Sequence, residues 1–599
     1  MIPADLPAQI RLLEKNGELR RVSREVDPRF EITEITVRVV KEGGPALLFE
    51  NVKGSPYPLA INLFGSARRI ELALGQAPAA IGERLARAAE DLMPPKPLSL
   101  WKHRSLFWDA LNMAPRLADQ GRALEVSEAP NLDDWPILTC WPKDGGRFFT
   151  LPLVITQNPR GKRNVGMYRL HVYDKKTTGM HMQIERGGGA HYAEWMALDK
   201  PMPVAVALGG DPATVLGSVL PLPENMDEIA FAGFLRGSRV PLVRLSNGVS
   251  APADAEFILE GHIPPRERRT EGPFGDHFGH YSHAAPYPVF HIDKVHRRKK
   301  PVYPATVVGK PPQEDKFMGN AVQEMLLPLL KVMRPELVDL WAYQEAGFHN
   351  LAVAAVKQRY AKEGVKTALG LMGQGQMSLS KCVVLVDPDV PVRDFPAVLD
   401  ALREHFDPTE DFILLPGTAQ DTLDFTSFKM NLGSKMILDA TRKSRPVPRP
   451  AAGFLPSGRG TPGEGPALDG AVDWRNLRDV FLVVRSDAKD PARNRRLAED
   501  LARRPSLSGF KFIAVVSDDV PLEDDELLIW GVFTRFDAAR DIRPARVETD
   551  GAWTRVFAPL AIDASWKPGY PDPLVMDPSV VARVDAWAGS LLQFPTDKP

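Results

Sequence analysis

Residues 164–195 read NVGMYRLHVYDKKTTGMHMQIERGGGAHYAEW, and the rest of the chain is organised around them. Asn164 and Arg169 stand five residues apart in an alternating, β-branched and aromatic setting, which reads as a strand. Thr177-Thr178-Gly179 then reads as a turn, 180–184 as a second strand, and Gly187-Gly188-Gly189 as a flexible loop. An amide, an arginine and a bare glycine backbone on one hairpin suit an anionic ligand. The amide can ligate a metal, Arg forks onto phosphate or carboxylate, and glycines let main-chain N–H groups approach closely. The competing reading is an ordinary hairpin with an exposed Arg and a loose loop.

Around this stretch the strands come at short spacing. Residues 151–156, 204–208, 256–260 and 289–292 are apolar runs bounded by turn signals, interrupted by a helix over 228–236. That pattern implies a barrel or curled sheet over 131–320. Upstream, 1–130 reads as a small α/β unit, with strands at 46–49 and 59–63 and a helix over 70–92. Downstream, a helix over 321–340 leads into a first α/β module that runs to 443. Residues 381–411 (KCVVLVDPDVPVRDFPAVLDALREHFDPTED) align without a gap to 511–541 (KFIAVVSDDVPLEDDELLIWGVFTRFDAARD), so 471–599 reads as a duplicate of that module. Residues 444–470, rich in Pro and Gly, read as a mobile linker between the copies. The expected class is thus multidomain α/β and α+β, with a small N-terminal unit, a central split barrel and a duplicated C-terminal α/β domain.

Composition bounds the function. The chain has 599 residues, too many for one core, and a net charge of −1 that supplies no basic field for nucleic acid or anionic lipid. Two cysteines, Cys140 and Cys382, exclude a disulfide framework and a four-cysteine metal site. No apolar run approaches the roughly 18 residues of a membrane span, and the N-terminal amphipathic helix lacks the apolar core of a signal peptide. A cytoplasmic enzyme is the expectation.

The second decisive stretch is Glu271-Gly272-Pro273-Phe274-Gly275-Asp276-His277. Two carboxylates flank a Gly-Pro-aromatic-Gly turn that can aim both into one cleft. Carboxylates held close raise one another's pKa, so one is expected to donate a proton near neutrality, with an interposed arginine restraining the other. The competing reading is a turn with an exposed Glu.

Asn164-x4-Arg169 together with Glu271-GPFG-Asp276 resembles the signature of the UbiD family of decarboxylases, which use prenylated FMN. Three further stretches agree: the run from Pro221 to Glu228, the Asn431-Leu432-Gly433-Ser434-Lys435 loop, and Leu438-Asp439-Ala440-Thr441. The resemblance extends to about Lys443, and the duplicated part is similar to a long subgroup associated with menaquinone biosynthesis. It implies that Arg169, Glu271 and Asp276 are catalytic, with Asp276 the proton donor. It implies a metal, Mn²⁺ or Mg²⁺, held by Asn164, Glu228 and a middle ligand at Glu185, where relatives carry His. Asn164, Arg169, Gly187, Gly188, Leu220 and Lys435 would bind the cofactor, Lys435 at its phosphate, with a monovalent cation such as K⁺ near Leu220 and Glu228. It further implies a small aromatic acid substrate, a flavin prenyltransferase as cofactor supplier, and a homo-oligomer. Dihydroxynaphthoate leads as substrate, then a polyprenyl-hydroxybenzoate, then small aromatic acids of catabolism. The different-class alternatives are a non-catalytic flavin-binding subunit and an ordinary flavin oxidoreductase; no dinucleotide fingerprint supports the latter. A zinc site from His181, Glu185 and His191 is outweighed by plain structural roles, as is a nucleotide loop at Gly209-Gly210-Asp211. His277 stands as a substrate or supporting contact, and Arg163 either as an addition to the phosphate site or as a merely solvated side chain.

Overall fold

The central strands carry Val, Ile, Leu and Phe in runs, and they pair antiparallel into one ten-stranded sheet. Along its path the order is Phe148–Phe149, Leu170–Val172, Thr177–Met180, Ala285–Arg297, Phe257–Ile263, Met202–Leu208, Pro152–Gln157 and Arg163–Gly166. Val126–Glu128 and Arg268–Glu271 add to the long strand Ala285–Arg297. One connection forces this sheet to curl. Arg163–Gly166 ends the path and Leu170–Val172 is second from its other end, yet only residues 167–169 join them. That link reaches about 14 Å, whereas a flat sheet would hold those strands about 29 Å apart at ~4.8 Å per strand. The sheet therefore closes into a half-barrel, with Arg169 in the closure.

The computed structural model describes residues 2–91, 101, 103–183, 187–222, 226–444, 447, 455–456, 458–461 and 470–589. It divides into two units, Met1–Met325 with Pro573–Pro599, and Leu326–Asp572. The first unit holds the half-barrel and a four-stranded sheet of Leu19–Val22, Ala46–Phe49, Leu59–Ile61 and Tyr303–Ala305. The fourth of these strands comes from beyond the half-barrel, so 1–130 shares its sheet with residue 303 onward. One apolar core runs through both: Trp135 packs on Phe257 with ring centroids 4.4 Å apart, and Tyr303 closes on the same group. The C-terminal helix Pro578–Ala588 lies on Glu31–Lys41 and buries Val584 and Ala588 completely.

The second unit contains the two α/β modules. In the first, Leu337–Ala342, Leu351–Val356, Cys382–Val386, Leu432–Asp439 and Phe412–Ala419 follow in sheet order, with the outer pairs antiparallel and the inner ones parallel. In the second, Asp473–Leu477, Phe481–Ser486, Phe512–Ser517, Trp553–Ala564 and Ile542–Asp550 repeat that order and those directions. Each copy also carries a lysine near its end between two aspartates, joined in the first copy by Lys362, 2.9 Å from Asp411 and 3.2 Å from Asp439. Lys443 Nζ stands 3.5 Å from Asp411 and 3.3 Å from Asp439, and Lys567 Nζ 3.6 Å from both Asp541 and Asp563. The two modules share one core, with Phe406 stacked on Phe512 at 5.4 Å.

Several local expectations are corrected. Residues 177–179 are not a turn but part of the strand Thr177–Met180; the chain reverses at Asp174, whose carboxylate accepts from the Lys176 N–H at 3.0 Å. Gly187-Gly188-Gly189 is not a loose loop but the first turn of the helix Gly187–Ala197. The Asn431–Lys435 stretch is mostly strand, Leu432–Asp439. The linking helix is Glu314–Met333, and 337–342 is already a strand. The helix over 70–92 is two, Ala67–Leu74 and Pro78–Asp91. Within the expected linker most residues lie outside the described ones, but Gly458–Gly460 pairs with Asp473–Leu477 and Leu455 is buried beside Trp474. The helix over 228–236 stands as Glu228–Arg236.

Candidate active site

Arg169 leaves the half-barrel closure and meets the turn that begins at Glu271, on the strand Arg268–Glu271. Its Nε donates to Glu271 Oε1 at 2.8 Å and its Nη2 to Glu271 Oε2 at 3.1 Å, a two-pronged grip on one carboxylate. Nη1 donates to Asp276 Oδ2, and Nη2 also reaches Ser282 Oγ at 2.8 Å. The guanidinium lies over the Phe274 ring, 4.7 Å from its centroid. The turn therefore delivers two carboxylates and one aromatic face to a single cation. Glu271 is 0% exposed and Asp276 8%.

The electrostatics reverse the expected mutual repulsion. Burial alone would raise the Glu271 carboxyl, but Arg169, seconded by His181, brings it down to about 2. Burial acts on Asp276 in the same way, and Arg169 and then His277 hold it well below the ordinary carboxylate range. The interposed arginine, not the neighbouring carboxylate, sets both groups, so Asp276 is an anion in this arrangement. Its second oxygen, Oδ1, accepts from the His277 backbone N–H and stands 2.8 Å from His277 Nδ1.

Residues that the sequence reading did not assign here complete the network. His181 Nδ1 is 3.2 Å from Glu271 Oε2, and its ring lies 4.3 Å from that of Tyr287. Asp144 accepts from the Gly275 N–H at 2.8 Å and from those of Cys140 and Trp141, which anchors the turn from outside; burial raises its carboxyl to about 7. The Asp-Gly pair at 144–145 is a turn signal that could have flagged it. Nothing local marks Ser282.

A second group of residues gathers beside the helix Gly187–Ala197. Glu228 Oε2 accepts from the Val165 N–H at 2.9 Å, next to Asn164, so the expected ligands Asn164 and Glu228 are brought together. Burial raises the Glu228 carboxyl, which leaves a costly charge that a cation would compensate. A Cβ at Gly187 would stand 1.9 Å from Asn164 Oδ1, so only bare backbone fits where the amide meets the helix. Gly188 N–H donates to the Tyr168 hydroxyl at 3.2 Å, and Asn164 Nδ2 to the same oxygen at 3.3 Å. Arg163 lies 3.3 Å from Asp227. Oxygen donors from an amide and a carboxylate, beside the N-terminus of an eleven-residue helix, fit a hard divalent cation and a phosphate. Glu185 lies outside the described residues, and among the described ones no three His, Cys, Asp or Glu side chains form a metal group.

The remaining expected residues have the following partners. Leu220 is buried, and its carbonyl accepts from the Leu222 N–H. Lys435 belongs to the second unit. Its ammonium donates to the Ser378 and Ser380 carbonyls and to Gln420 Oε1, and burial lowers it to about 8. His191 pairs with Thr156 while His181 pairs with Glu271, so the two do not converge on a zinc. Asp211 caps the helix Pro212–Gly217, the plain structural role. No helix among the described residues is long and apolar enough to cross a membrane.

Comparison with known proteins adds to this geometry. Family models for 3-octaprenyl-4-hydroxybenzoate carboxy-lyase match residues 10–89 (N-terminal domain), 117–311 (Rift-related domain), and 316–440 with 476–550 (C-terminal domain). A Chlamydia pneumoniae protein, named as one of the subunits of a 4-hydroxybenzoate decarboxylase, is 39% identical over 589 residues, 97% of each chain. Vanillic acid decarboxylase of Sedimentibacter hydroxybenzoicus superposes with a TM-score of 0.66 at 26% identity, over 76% of this chain and 96% of that one. The UbiD-class enzyme HmfF of Pelotomaculum thermopropionicum, in complex with FMN, does so at 0.63 and 27%, over 76% and 96%. An evolved dimeric form of HmfF with prFMN gives 0.62 and 25%, over 75% and 98%.

Proposed function

We propose, for a chain that belongs to the UbiD family of carboxy-lyases, the non-oxidative removal of CO₂ from an aromatic carboxylic acid with prenylated FMN. The observation that carries this reading is the pair of carboxylates on Arg169, one sealed and one not. Glu271 is locked by two arginine bonds and His181 and serves to orient the guanidinium. Asp276 shares Arg169 and turns its other oxygen to His277, so it alone can exchange a proton.

Loss of CO₂ from an sp² carbon is slow because the electron pair left behind has nowhere to delocalise; prenylated FMN, when bound, supplies the acceptor. The protein supplies orientation and the proton. A substrate carboxylate near Arg169 shares its charge, which loosens the hold on Asp276, raises its pKa and lets it take up a proton. Departure of CO₂ removes that competing anion. Arg169 then pulls the Asp276 pKa back down, and the acid strengthens as the ring carbon needs a proton.

Asn164, Glu228 and the first turn of Gly187–Ala197 would hold the cofactor phosphate through Mn²⁺ or Mg²⁺, with Glu185 the expected third ligand from the family resemblance. Metal and flavin are then linked. Glu228→Ala should lose at least about tenfold in metal affinity and release flavin in parallel, read by metal analysis and by flavin absorbance after gel filtration. Full flavin retention in a metal-free variant sinks the linkage.

A dihydroxynaphthoate-type quinone precursor leads as substrate, supported by the resemblance of the duplicated form to the menaquinone-associated subgroup. A 4-hydroxybenzoate-type acid is the second reading, favoured by the name of the 39% identical relative. The decisive test makes the protein alongside a flavin prenyltransferase, weighs the released cofactor, and measures CO₂ from both acids. Plain FMN in a protein that is nonetheless active removes the cofactor assignment. A correctly loaded protein inert on every aromatic acid favours a non-catalytic flavin-binding subunit.

A further inference from the structure

The turn that carries Asp276 is a small hairpin. Asp276 N–H donates to the His280 carbonyl at 3.1 Å, Ser282 N–H to the Phe274 carbonyl at 2.8 Å, and Gly275 bridges Tyr281. On one side Asp144 fixes the Gly275 N–H. The other side is closed by a segment nearly three hundred residues later. His280 forms an antiparallel bridge with Pro573, and the Leu574 N–H donates to the Gly279 carbonyl at 3.0 Å. The Leu574 side chain is 3% exposed and packs beneath the turn: a Cβ at Gly275 would stand 2.8 Å from Leu574 Cδ2 and 2.2 Å from Trp141 Cδ1.

This segment is tethered at its far end. Met576 is buried in the same core, and the helix Pro578–Ala588 is clamped by Arg38, which bonds Asp585 at 2.6 Å and the Val581 carbonyl at 3.3 Å. Asp144 and Arg169 hold the turn from one side, and the backbone pairing at Gly279–His280 with the Leu574 anchor limits from the other how far Asp276 can drift.

We propose that residues 573–576 form a strap that positions Asp276 for proton transfer, with Leu574 as its anchoring side chain. The proposal rests on Asp276 being the proton donor. Leu574 touches no reacting group and acts through the turn. Loosening it widens the distribution of Asp276 positions, and a displacement on the order of 1 Å costs up to about 10²-fold in rate. Arg169 keeps its two-pronged grip on Glu271 when the turn loosens, so its place for a substrate carboxylate is held and kcat falls while KM does not.

The test uses full-length, flavin-loaded enzyme. Leu574→Ala should lower kcat about tenfold with KM and flavin content unchanged, and Leu574→Met should restore it. Val584→Ala, a cavity in the tethering helix away from the turn, should lower Tm comparably and leave kcat unchanged. Equal kcat in Leu574→Ala and Val584→Ala overturns the strap. Should Leu574→Ala fail to fold, Leu574→Val carries the test: a lower kcat at constant KM supports the strap, and wild-type kcat overturns it. The two readings separate cleanly. An active Asp276→Asn enzyme removes the proton-donor assignment itself, whereas an inactive one beside a normal Leu574→Ala removes only the strap.

Discussion

Replacing Asp276 with Asn is expected to lower turnover by about 10²–10⁴-fold, the range for losing a general acid, with folding and flavin retention intact. The amide keeps the size of the carboxylate, and its oxygen still accepts from Arg169 Nη1. The substitution also removes one of two negative charges on a single buried guanidinium, leaving Arg169 and Glu271 as a balanced pair, so no unpaired charge is created. What the variant cannot do is cycle a proton. Hydrogen–deuterium exchange at the reacting carbon of the product should vanish with turnover. A turn that mattered only for folding would instead show normal specific activity in whatever remains soluble. A well-folded, flavin-loaded Asp276→Asn enzyme with near-normal turnover and exchange rules this residue out.

Arg169→Ala is expected to abolish detectable turnover and also to destabilise the protein. It removes the group proposed to orient the substrate carboxylate and strips Glu271, 0% exposed, of its two charge-assisted bonds. Breaking a buried pair by deleting one partner costs about 3–5 kcal/mol. The pH dependence carries the signature. In the wild type, Glu271 is depressed to about 2, below its unfolded value of ~4.3, so its contribution is full above that value and is lost only as pH falls toward 2. Without Arg169, burial dominates and raises the Glu271 pKa, and a charged Glu271 favours protonation of His181. The folded variant then binds a proton at Glu271 more tightly than the unfolded chain. The variant should therefore be more stable at pH 5.5 than at pH 8 by urea unfolding, whereas Glu271 in the wild type contributes no slope across that window. A stability–pH slope matching the wild type through that window contradicts the account.

The motifs holding Arg169, Glu271 and Asp276 single out three side chains that the fold brings together, although each stretch alone also reads as an ordinary hairpin or turn. The helix Glu228–Arg236 and the duplicated strand, acidic turn and helix were plain, since apolar period and Asp caps are local signals. Other features depend on partners distant in sequence. Three glycines in a row cost a helix about 1 kcal/mol each against alanine, yet at 187 the Asn164 amide occupies the space a side chain would need. Thr-Thr-Gly is a turn signal by composition, but the Asp174 carboxylate, which caps the reversal after Val172, has the stronger mechanism. The influence of Glu271 on Asp276 is local, five residues off, whereas the arginine that governs Asp276 is 107 residues away in sequence. Leu574 carries no local mark of its role at all.

The same late segment bears on how the polypeptide matures during synthesis. The first unit draws Leu574, Met576, Val580 and Val584 into its core, but the 247 residues of Leu326–Asp572 intervene. A ribosome adding about 5–20 residues per second therefore needs on the order of ten seconds or more to pass from Met325 to the helix that completes the core. Through that interval the face of Glu31–Lys41 and the underside of the Asp276 turn stay uncovered, while the intervening unit can fold as soon as it emerges. The nascent chain is then at its most vulnerable late, and its active-site turn receives its final support among the last native contacts to form.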